Sequence, residues 1–271
     1  MKNLCIYHKQ CKDGFGAALA VKVYFDKLGE ECEFMPAHYG EPIPDVTGKN
    51  VVIVDFSYPR EVLIDMQYQA NSIVVLDHHK TAKDNLEGLD FCHFDMNRSG
   101  AMMAWEYFHP NEKVPQLIKF IQDRDLWKWE MDYSKEFSAG LGLIPLDFSG
   151  WETLLDNTAC LELIDKGKTI LRYQEQQIKR AVSRNSVRKI ILAGYEVPII
   201  NTTTLVSEIC GKLAESYPFA VSYFDTAEDR VYSLRSRNKE GIDVSKVAKM
   251  FGGGGHKNAS GFSIPLNKKQ L

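Results

Sequence analysis

The stretch "SIVVLDHHKT" (residues 72–81) places four apolar residues directly before an acid and two histidines. A run of three β-branched residues and a leucine, with no polar residue between them, is typical of a strand that is buried on both faces. The apolar run ends at Asp77, and His78 and His79 follow it. Such ionisable groups are unfavourable to bury and contribute little to packing, so either solvent surrounds them or they bind something.

Two other apolar strands are predicted to end in the same way. "NLCIYH" (3–8) ends at His8, and "NVVIVDFS" (50–57) has Asp55 after its apolar part. Asp13 follows in a turn that leads into a helix. Because the carboxyl ends of strands line the ligand crevice of an open parallel sheet, these side chains should converge. Convergent carboxylates and imidazoles bind Mn²⁺, Fe²⁺, Zn²⁺ or Mg²⁺, and mixed N/O donors favour the transition metals.

A simpler interpretation applies to each acid taken alone. An aspartate after a strand is more often a helix N-cap than a metal ligand, and Asp77 could cap a helix over "KTAKDNLEG" (80–88). Three such strand ends, however, would bring several charges into one crevice with nothing to neutralise them. A bound cation removes that objection, so the joint pattern favours a metal site. The aromatic residues without such a context are interpreted as surface, core or interface residues: His38, His93, His109, Trp105, Trp127 and Trp129.

The order of strands and helices predicts the fold class. Strands are predicted at residues 3–8, 32–37, 50–57 and 72–77, and helices at residues 14–29 and 59–70. Apolar strands that alternate with helices indicate a doubly wound, mainly parallel sheet. Helical periodicity dominates from about residue 99 to 188, and residues 159–190 are predicted to form one or two long helices.

A second, smaller α/β unit follows the helical stretch. Its strands are predicted at residues 190–201, 219–225, 230–236 and 260–264, and its helices at residues 205–216 and 244–251. The whole chain is therefore predicted to be an α/β protein in three parts. They are a catalytic domain over residues 1–155, a helical connector over residues 156–190 and a small C-terminal domain over residues 191–271.

Composition limits the class of substrate and the location. Of 271 residues 44% are hydrophobic and 25% are charged, which is ordinary for a folded protein. The formal net charge of −3 offers no electrostatic grip on long nucleic acid, so any nucleic-acid substrate should be short. Six scattered cysteines, the N-terminus "MKNLCIYH" and the lack of a run of ~18 apolar residues favour a cytoplasmic protein with no membrane partner.

The motifs resemble, in order, those of the DHH phosphoesterase family. "YHKQCKDGFGAALA" (7–20) resembles its first motif, "VVIVDFS" (51–57) its second, and "DHH" (77–79) the motif that names it. "DRDLW" (123–127) resembles the fourth motif. "FGGGGHKNASGF" (251–262) resembles the glycine-rich signature of the associated C-terminal domain, called DHHA1. The resemblance covers nearly the whole chain.

The resemblance implies two Mn²⁺ ions, with Mg²⁺, Fe²⁺ or Zn²⁺ as alternatives. The metal ligands that it implies are His8, Asp13, Asp55, His78 and an acid of the fourth motif. We expect that acid to be Asp123, which falls where the family has its aspartate, with Asp125 close behind. Asp55 would bridge both ions, while Asp77 and His79 would orient the ligands.

One position departs from the family pattern. Where many members have H-x-D-x-D-G, this chain has Cys11 in place of the first aspartate. Cys11 is therefore a further candidate ligand, and a thiolate would favour Zn²⁺ or Fe²⁺ over Mn²⁺.

The glycine run 252–255 lies directly after a predicted helix. One glycine would suffice to end that helix, whereas four followed by a histidine allow backbone N–H groups to approach an anion closely. The resemblance makes this run a phosphate-binding loop, and Arg235 the strongest candidate to bind a substrate phosphate. The candidate substrate-binding residues are Ser233, Arg235, Arg237, Gly253, Gly254, Gly255 and His256.

The resemblance covers RecJ-type exonucleases, nano-RNases, cyclic-dinucleotide phosphodiesterases, and polyphosphatases or pyrophosphatases. The small C-terminal domain and the mild acidity favour a small substrate within this family. The resemblance then implies a Mn²⁺-dependent phosphodiesterase that hydrolyses short oligonucleotides or nucleotides by two-metal activation of water. Asp77, His78, His79 and His256 are the expected catalytic residues. A polyphosphatase or pyrophosphatase remains an alternative, as does a catalytically weakened nucleotide-binding protein, which Cys11 alone supports. Relatives are often dimers, so a homodimer is left open.

Overall fold

A computed structural model of the protein describes residues 2–183, 187–237 and 241–266. The chain divides into two compact units, residues 1–171 and 172–271. The division falls inside the stretch 156–190 that the sequence predicts as a connector, of which residues 184–186 lie outside the described part. Each unit contains a sheet of its own.

The N-terminal unit is built on five strands with helices between and after them. The strands are β1 Asn3–His8, β2 Cys32–Ala37, β3 Asn50–Val54, β4 Ser72–Asp77 and β5 Cys92–Phe94. The helices that begin in this unit are α1 Lys12–Leu28, α2 Arg60–Gln69, α3 Lys80–Leu86, α4 Gly100–Phe108, α5 Gln116–Asp125, α6 Ser134–Leu141, α7 Phe148–Thr153 and α8 Asn157–Ser183. All strand pairs are parallel, in the order β2-β1-β3-β4-β5, and the predicted doubly wound α/β fold is confirmed.

Both faces of this sheet are buried, which explains the uninterrupted apolar runs of its strands. Leu4 and Ile6 of β1 pack in a core with Ile53 and with helix α2. Cys5, between them, belongs to a second core on the opposite face, which contains much of α1, α4 and α5. Successive residues of a strand point to opposite faces, so every residue of a central strand meets apolar neighbours.

The strand order creates a crevice at the carboxyl edge of the sheet. The chain runs from β1 outward to β2 and then returns to β3 on the other side of β1. In the ladders His8 is paired with Ala37, and Tyr7 with Val54. The connections that follow β1 and β3 therefore lead to opposite sides of the sheet, and open α/β sheets bind ligands in the crevice between two such strands.

The C-terminal unit contains a mixed six-stranded sheet. Its strands are β6 Arg188–Leu192, β7 Tyr195–Asn201, β8 Phe219–Asp225, β9 Asp229–Ser236, β10 Gly254–Gly255 and β11 Ala259–Pro265. Its helices are α9 Val206–Leu213 and α10 Val244–Lys249. The order is β10-β11-β9-β8-β7-β6, with β7 and β8 parallel and the other pairs antiparallel. Residues of α9 and α10 belong to two separate cores of this unit.

Two predicted elements differ most from the observed ones in extent or type. The single strand predicted over residues 190–201 is a hairpin of β6 and β7, because Ala193 and Gly194 both adopt positive φ angles, of 50° and 84°. Such a pair forms a tight turn between antiparallel strands. The described part of helix α8 extends to Ser183, and β6 begins at Arg188, so the helix does not continue to residue 190 as predicted. None of the described helices, including the 27-residue α8, is long and apolar enough to cross a membrane.

Candidate functional site

Ionisable side chains meet at the carboxyl edge of the N-terminal sheet. We call the following residues the acid–histidine cluster: His8, Asp13, Asp55, His78, His79 and Asp125. His8 ends β1, Asp55 follows β3, and His78 and His79 follow β4. The parallel register thus brings together side chains that lie up to 71 residues apart in the sequence.

Asp55 lies at the centre of the cluster. It is buried, and its backbone has a positive φ of 53°, which is uncommon outside glycine and less unfavourable for aspartate than for bulkier residues. Its Oδ1 lies 3.1 Å from Nε2 of His78, and its Oδ2 lies 3.5 Å from Nδ1 of His8. Burial alone would raise the pKa of Asp55, but the two histidine contacts outweigh it and hold the pKa well below its usual range.

Two glycines allow the neighbouring helices to reach this point. A Cβ atom on Gly100, the first residue of α4, would lie 2.5 Å from Cβ of Asp55. A Cβ atom on Gly14, in the first turn of α1, would lie 2.5 Å from the carbonyl oxygen of His8. Real Cβ atoms do not approach other atoms so closely, so both positions require glycine while the helices keep their places.

Asp13 connects the beginnings of α1 and α4. Its two carboxylate oxygens accept hydrogen bonds from the N–H groups of Gly100, at 2.6 Å, and of Ala101, at 2.9 Å. The first N–H groups of a helix lack partners within the helix and favour an anion. Burial and the charges of Asp55 and Asp125 nevertheless raise the pKa of Asp13 well above its usual value.

His78 is surrounded by carboxylates. Its Nε2 lies 3.1 Å from Asp55, 3.5 Å from Asp13 and 3.5 Å from Asp125. Burial would lower the pKa of His78, but the hydrogen bond with Asp55 and the charges of Asp125, Asp55 and Asp13 raise it to about 10. In the absence of another cation, the imidazole therefore carries a positive charge at neutral pH.

The structure places the two acids of the fourth motif differently from the expectation. The carboxylate of Asp123 accepts hydrogen bonds from the N–H groups of Glu130, at 2.9 Å, and Met131, at 3.4 Å. It thereby closes the turn that follows α5. Asp125 instead lies 3.5 Å from His78. The structure thus brings Asp125, not Asp123, to the cluster, although Asp123 was the acid expected from the sequence.

Helical spacing does not separate the two acids in the sequence. Asp125 lies four residues after the buried Ile121 and eight after the buried Leu117. Asp123 lies three residues after the buried Phe120 and is itself buried. Both positions follow core residues at helical spacing, so no local pattern indicates that Asp125 is the acid that reaches His78.

Asp77 makes hydrogen bonds that order the two histidines after it. Its carboxylate accepts a hydrogen bond from the hydroxyl of Ser57, and its Oδ1 lies 2.7 Å from Nδ1 of His79. The N–H groups of His78 and His79 also donate to Oδ1, at 2.7 and 3.3 Å. Burial would raise the pKa of Asp77, but the charge and hydrogen bond of His79 and the bond from Ser57 lower it. Sequence reasoning missed Ser57, because a serine two residues after Asp55 has no distinctive pattern.

The donor atoms of the cluster form two groups that share Asp55. One group consists of His8, Asp55 and His79, and the other of Asp13, Asp55 and His78. In each group one donor atom from every residue lies within 4.8 Å of the other two. This arrangement can hold two neighbouring cations with one carboxylate between them.

Cys11 belongs to neither of these groups in the described part of the chain. It lies directly before α1. Burial, together with the charges of Asp55 and Asp13, raises the pKa of its thiol well above the usual value. Cysteine binds metals as the thiolate, so ligation by Cys11 would require the loss of this proton.

The residues of the cluster fit a divalent metal ion. Oδ2 of Asp55 and Oδ2 of Asp125 are buried, and neither accepts a hydrogen bond from any described residue. Buried carboxylate oxygens without a donor are unfavourable, and a cation would satisfy them. The mixed set of imidazole nitrogens and carboxylate oxygens suits Mn²⁺, Fe²⁺ and Zn²⁺, and the carboxylates also suit Mg²⁺.

In the C-terminal unit, backbone conformation or close packing favours glycine at three of the four successive glycine positions. Gly252 has a positive φ of 79° and follows the end of α10. A Cβ atom on Gly253 would lie 2.0 Å from the carbonyl oxygen of Gly261. Gly255 has a φ of 130°, and a Cβ atom there would lie 2.7 Å from the carbonyl oxygen of Ala259. The run thus ends the helix and lets β10 pair closely with β11.

The candidate phosphate-binding residues lie near one another in this unit. Arg235 of β9 is paired with Ala259 of β11, and Gly255 of β10 is paired with Ser260. The N–H of His256 donates to the carbonyl oxygen of Ala259, at 2.8 Å. Ser233 lies on the same side of β9 as Arg235, and Arg237 follows the strand. Nε of Arg235 donates to Oγ of Ser207, at 3.2 Å, on α9.

Comparison with known proteins places these features in a family. The sequence profile of the DHHA1 domain matches residues 193–271. An uncharacterized protein of Acanthamoeba polyphaga mimivirus is 31% identical over 284 residues, which cover 97% of this chain and 67% of that protein. The oligoribonuclease NrnB of Bacillus subtilis is 24% identical over 224 residues, which cover 75% of this chain and 56% of NrnB.

Two solved structures share the fold. RecJ of Thermus thermophilus in complex with Mn²⁺ has a TM-score of 0.56 and 14% identity, over 97% of this chain and 49% of that one. The pGpG-specific phosphodiesterase PggH of Vibrio cholerae has a TM-score of 0.52 and 14% identity, over 98% of this chain and 94% of that one. With its DHH sequence, its parallel sheet and its matching C-terminal domain, the chain belongs to the DHH phosphoesterase family and carries a DHHA1 domain.

Proposed function

We propose that the protein is a divalent-metal-dependent phosphodiesterase that hydrolyses dinucleotides and short oligonucleotides. The observation that carries the proposal is the pair of donor groups sharing the buried carboxylate of Asp55. Two-metal sites of this kind catalyse in-line displacement at phosphorus. In a family of phosphoesterases, such a site is best explained as the catalytic centre.

Each donor group would hold one ion. His8, Asp55 and His79 would bind the first, and Asp13, Asp55 and His78 the second. Asp125 replaces Asp123 in this proposal, because Asp125 adjoins His78 whereas Asp123 closes a turn. Cys11 is not included among the ligands. We propose Mn²⁺ as the ion, since the donors are of mixed type, with Mg²⁺, Fe²⁺ and Zn²⁺ as alternatives.

When bound, such ions supply Lewis-acid activation of both the phosphate and a water molecule. The protein's own contribution is to fix the donors. The carboxylate of Asp77 accepts a hydrogen bond from Nδ1–H of His79, which leaves Nε2 as the ring nitrogen for a ligand contact. The N–H groups of Gly100 and Ala101 hold the carboxylate of Asp13. Both contacts preorganise donors that would otherwise have to be ordered on binding.

The C-terminal unit is proposed to bind the phosphates of the substrate. Arg235 and Arg237 supply positive charge, and Ser233 with Gly253, Gly254 and Gly255 supplies hydroxyl and backbone donors. His256 is proposed to donate a hydrogen bond to a phosphate oxygen as charge develops on it. These roles rest on the motif and on the common location of the residues in the sheet.

The net charge of −3 and two relatives support a short substrate. NrnB is named an oligoribonuclease and PggH a pGpG-specific phosphodiesterase, so both are described as acting on small nucleic acids. We propose the same substrate class here. A cytoplasmic location is also proposed, in keeping with six free cysteines.

The test is hydrolysis by the purified protein with Mn²⁺ of a dinucleotide, a five-residue RNA, a five-residue DNA, a cyclic mononucleotide and tripolyphosphate. We expect the dinucleotide and the short oligonucleotides to be cleaved, with His78→Ala inactive. His93→Ala is the matched control, because His93 is an exposed histidine of β5 and should keep full activity.

Cleavage of tripolyphosphate alone would move the protein to the polyphosphatases. Absence of all hydrolysis, in a protein that contains no metal, would instead indicate a binding protein. Full activity of His78→Ala would contradict the assigned metal centre.

A further inference from the structure

An exposed tyrosine borders the acid–histidine cluster. Strand β2 ends at Ala37, which is paired with His8 at the end of β1. His38 and Tyr39 follow β2 directly, at the same edge of the sheet where His8 and Asp55 lie. The ring centroid of Tyr39 lies 6.5 Å from that of His8. Tyr39 is therefore a close neighbour of a proposed metal ligand, although it lies in no family motif that the sequence displays.

The turn that carries Tyr39 is held in place by hydrogen bonds. The carboxylate of Glu41 accepts the N–H of His38, at 3.1 Å, and forms an ion pair with Lys9. The N–H of Glu41 donates to the carbonyl oxygen of His38, at 3.2 Å, and Gly40 supplies a positive φ of 84° between them. A fixed turn lowers the entropy that binding to the ring of Tyr39 would cost.

The ring of Tyr39 packs against neighbouring rings and remains partly exposed. Its centroid lies 4.9 Å from that of Phe56, a buried residue that follows Asp55. Yet Tyr39 as a whole remains 52% exposed. A partly exposed aromatic ring that is held by a neighbouring ring can stack with a planar group.

The position of Tyr39 suits the recognition of a nucleotide. Its ring centroid lies 6.5 Å from that of His8, a proposed metal ligand. A ring at this distance can bind a planar group attached to the phosphate that the cluster binds.

We infer that Tyr39, supported by Phe56, forms a subsite that stacks an unpaired nucleobase of the substrate next to the scissile phosphate. The inference rests on the proposed function, and it adds a base-recognition element inside the N-terminal unit. Every nucleobase has a π-face, so such a subsite binds bases of different sequence, and it distinguishes nucleotides from inorganic polyphosphates.

The test is the binding of a dinucleotide that contains 2-aminopurine, whose fluorescence is quenched when the base stacks on an aromatic ring. The dinucleotide carries a phosphorothioate linkage, which slows its hydrolysis. Its binding can therefore be measured with Mn²⁺ present. We expect Tyr39→Ala to weaken binding about 10-fold, equivalent to about 1.4 kcal/mol, and to abolish the quenching. Tyr39→Phe, which keeps the ring, should preserve both.

Tyr68→Ala is the matched control, because Tyr68 is an 85% exposed tyrosine of α2. Its binding and quenching should equal those of the wild type. Mn²⁺ content, measured in all variants, should not change. Binding of tripolyphosphate, which has no base, should be equal in the wild type and Tyr39→Ala.

Three outcomes would overturn the inference. They are unchanged quenching in Tyr39→Ala, an equal loss of tripolyphosphate binding, or a loss of affinity in Tyr39→Phe, which would assign the effect to the hydroxyl. The proposed function fails separately, if the wild type hydrolyses no nucleotide. Quenching that depends on Tyr39 would then still support the stacking subsite.

Discussion

Nε2 of His78 lies 3.1 Å from Oδ1 of Asp55, and both residues are buried. Without metal, this contact is a hydrogen bond between an imidazolium and a carboxylate, because the pKa of His78 is raised to about 10. A metal ion that binds to the same two atoms has to displace the proton. The contact between His78 and Asp55 thus couples metal binding to pH.

The first prediction follows from this competition. Between pH 6 and pH 8 the apparent affinity for Mn²⁺ should rise with pH, because a metal ion binds only the neutral imidazole. The pKa values of His78 and His79 are about 10 and about 9, so both rings carry a proton that the metal must displace. That proton is more easily lost at higher pH. The rise should be about tenfold per pH unit for each displaced proton. Calorimetric titrations in two buffers of different ionisation enthalpy count the released protons; equal heats in both buffers would contradict the prediction.

The second prediction separates the two acids of the fourth motif. Asp125→Asn should weaken Mn²⁺ binding and remove most hydrolytic activity, since it removes a carboxylate next to His78. Asp123→Asn should keep the metal, because its amide oxygen can still accept the N–H of Glu130. Metal content after dialysis and turnover of a dinucleotide provide the measurements. The reverse pattern would restore Asp123 as the ligand.

The third prediction concerns stability without metal. Burial and the charge of Asp55 raise the pKa of Asp125, so its ionised form is less favourable in the folded than in the unfolded chain. At neutral pH, above the usual pKa of an aspartate, this lowers stability. Asp125→Asn should therefore unfold at a temperature about 2–4 °C higher in the presence of EDTA, corresponding to about 1 kcal/mol. A lower unfolding temperature in EDTA would show that the carboxylate stabilises the metal-free fold.

The fourth prediction tests the close approach of α4. Gly100→Ala should displace the carboxylate of Asp55 and lower metal affinity, because the added Cβ would lie 2.5 Å from Cβ of Asp55. Gly150→Ala is the control, since its Cβ would meet no atom closer than 3.3 Å and lies in helix α7. Titration of Mn²⁺ and circular dichroism should show weaker binding by a folded Gly100→Ala variant. Unchanged affinity would mean that the helix can shift without affecting Asp55.

The fifth prediction concerns the support of His79. Asp77→Asn should weaken metal binding about 10- to 100-fold, as is typical for groups that orient ligands. Ser57→Ala removes a single hydrogen bond to Asp77 and should have a smaller effect in the same direction. The two variants can be compared by competition with a fluorescent chelator. A larger effect of Ser57→Ala than of Asp77→Asn would contradict the proposed order of contacts.

The fold and the centre of the site could be predicted from the sequence for one physical reason. Strands of a parallel sheet end at one edge, so His8, Asp55 and His78 had to lie close together once their apolar runs were identified as strands. The same reasoning predicted the strand bounds of β1, β2 and β4 as observed. Strand β5, of three residues, is too short for its pattern to be recognised.

What could not be predicted depends on contacts between distant segments. Asp123 and Asp125 differ only in the side of α5 on which they lie, and packing of the helix determines which one reaches His78. The requirement for glycine at position 100 is set by Asp55, which is 45 residues away in the chain. No local pattern records such a relationship.

All donors of the acid–histidine cluster lie within the first 125 residues, whereas the candidate phosphate-binding residues lie after residue 232. Substitutions in the C-terminal segment can therefore accumulate without touching the proposed metal ligands. In evolutionary terms, this separation allows phosphate recognition to change while the proposed metal ligands stay the same. The same separation offers a route to engineering, because exchanging the C-terminal segment for that of a relative should alter phosphate recognition while the proposed metal ligands are kept.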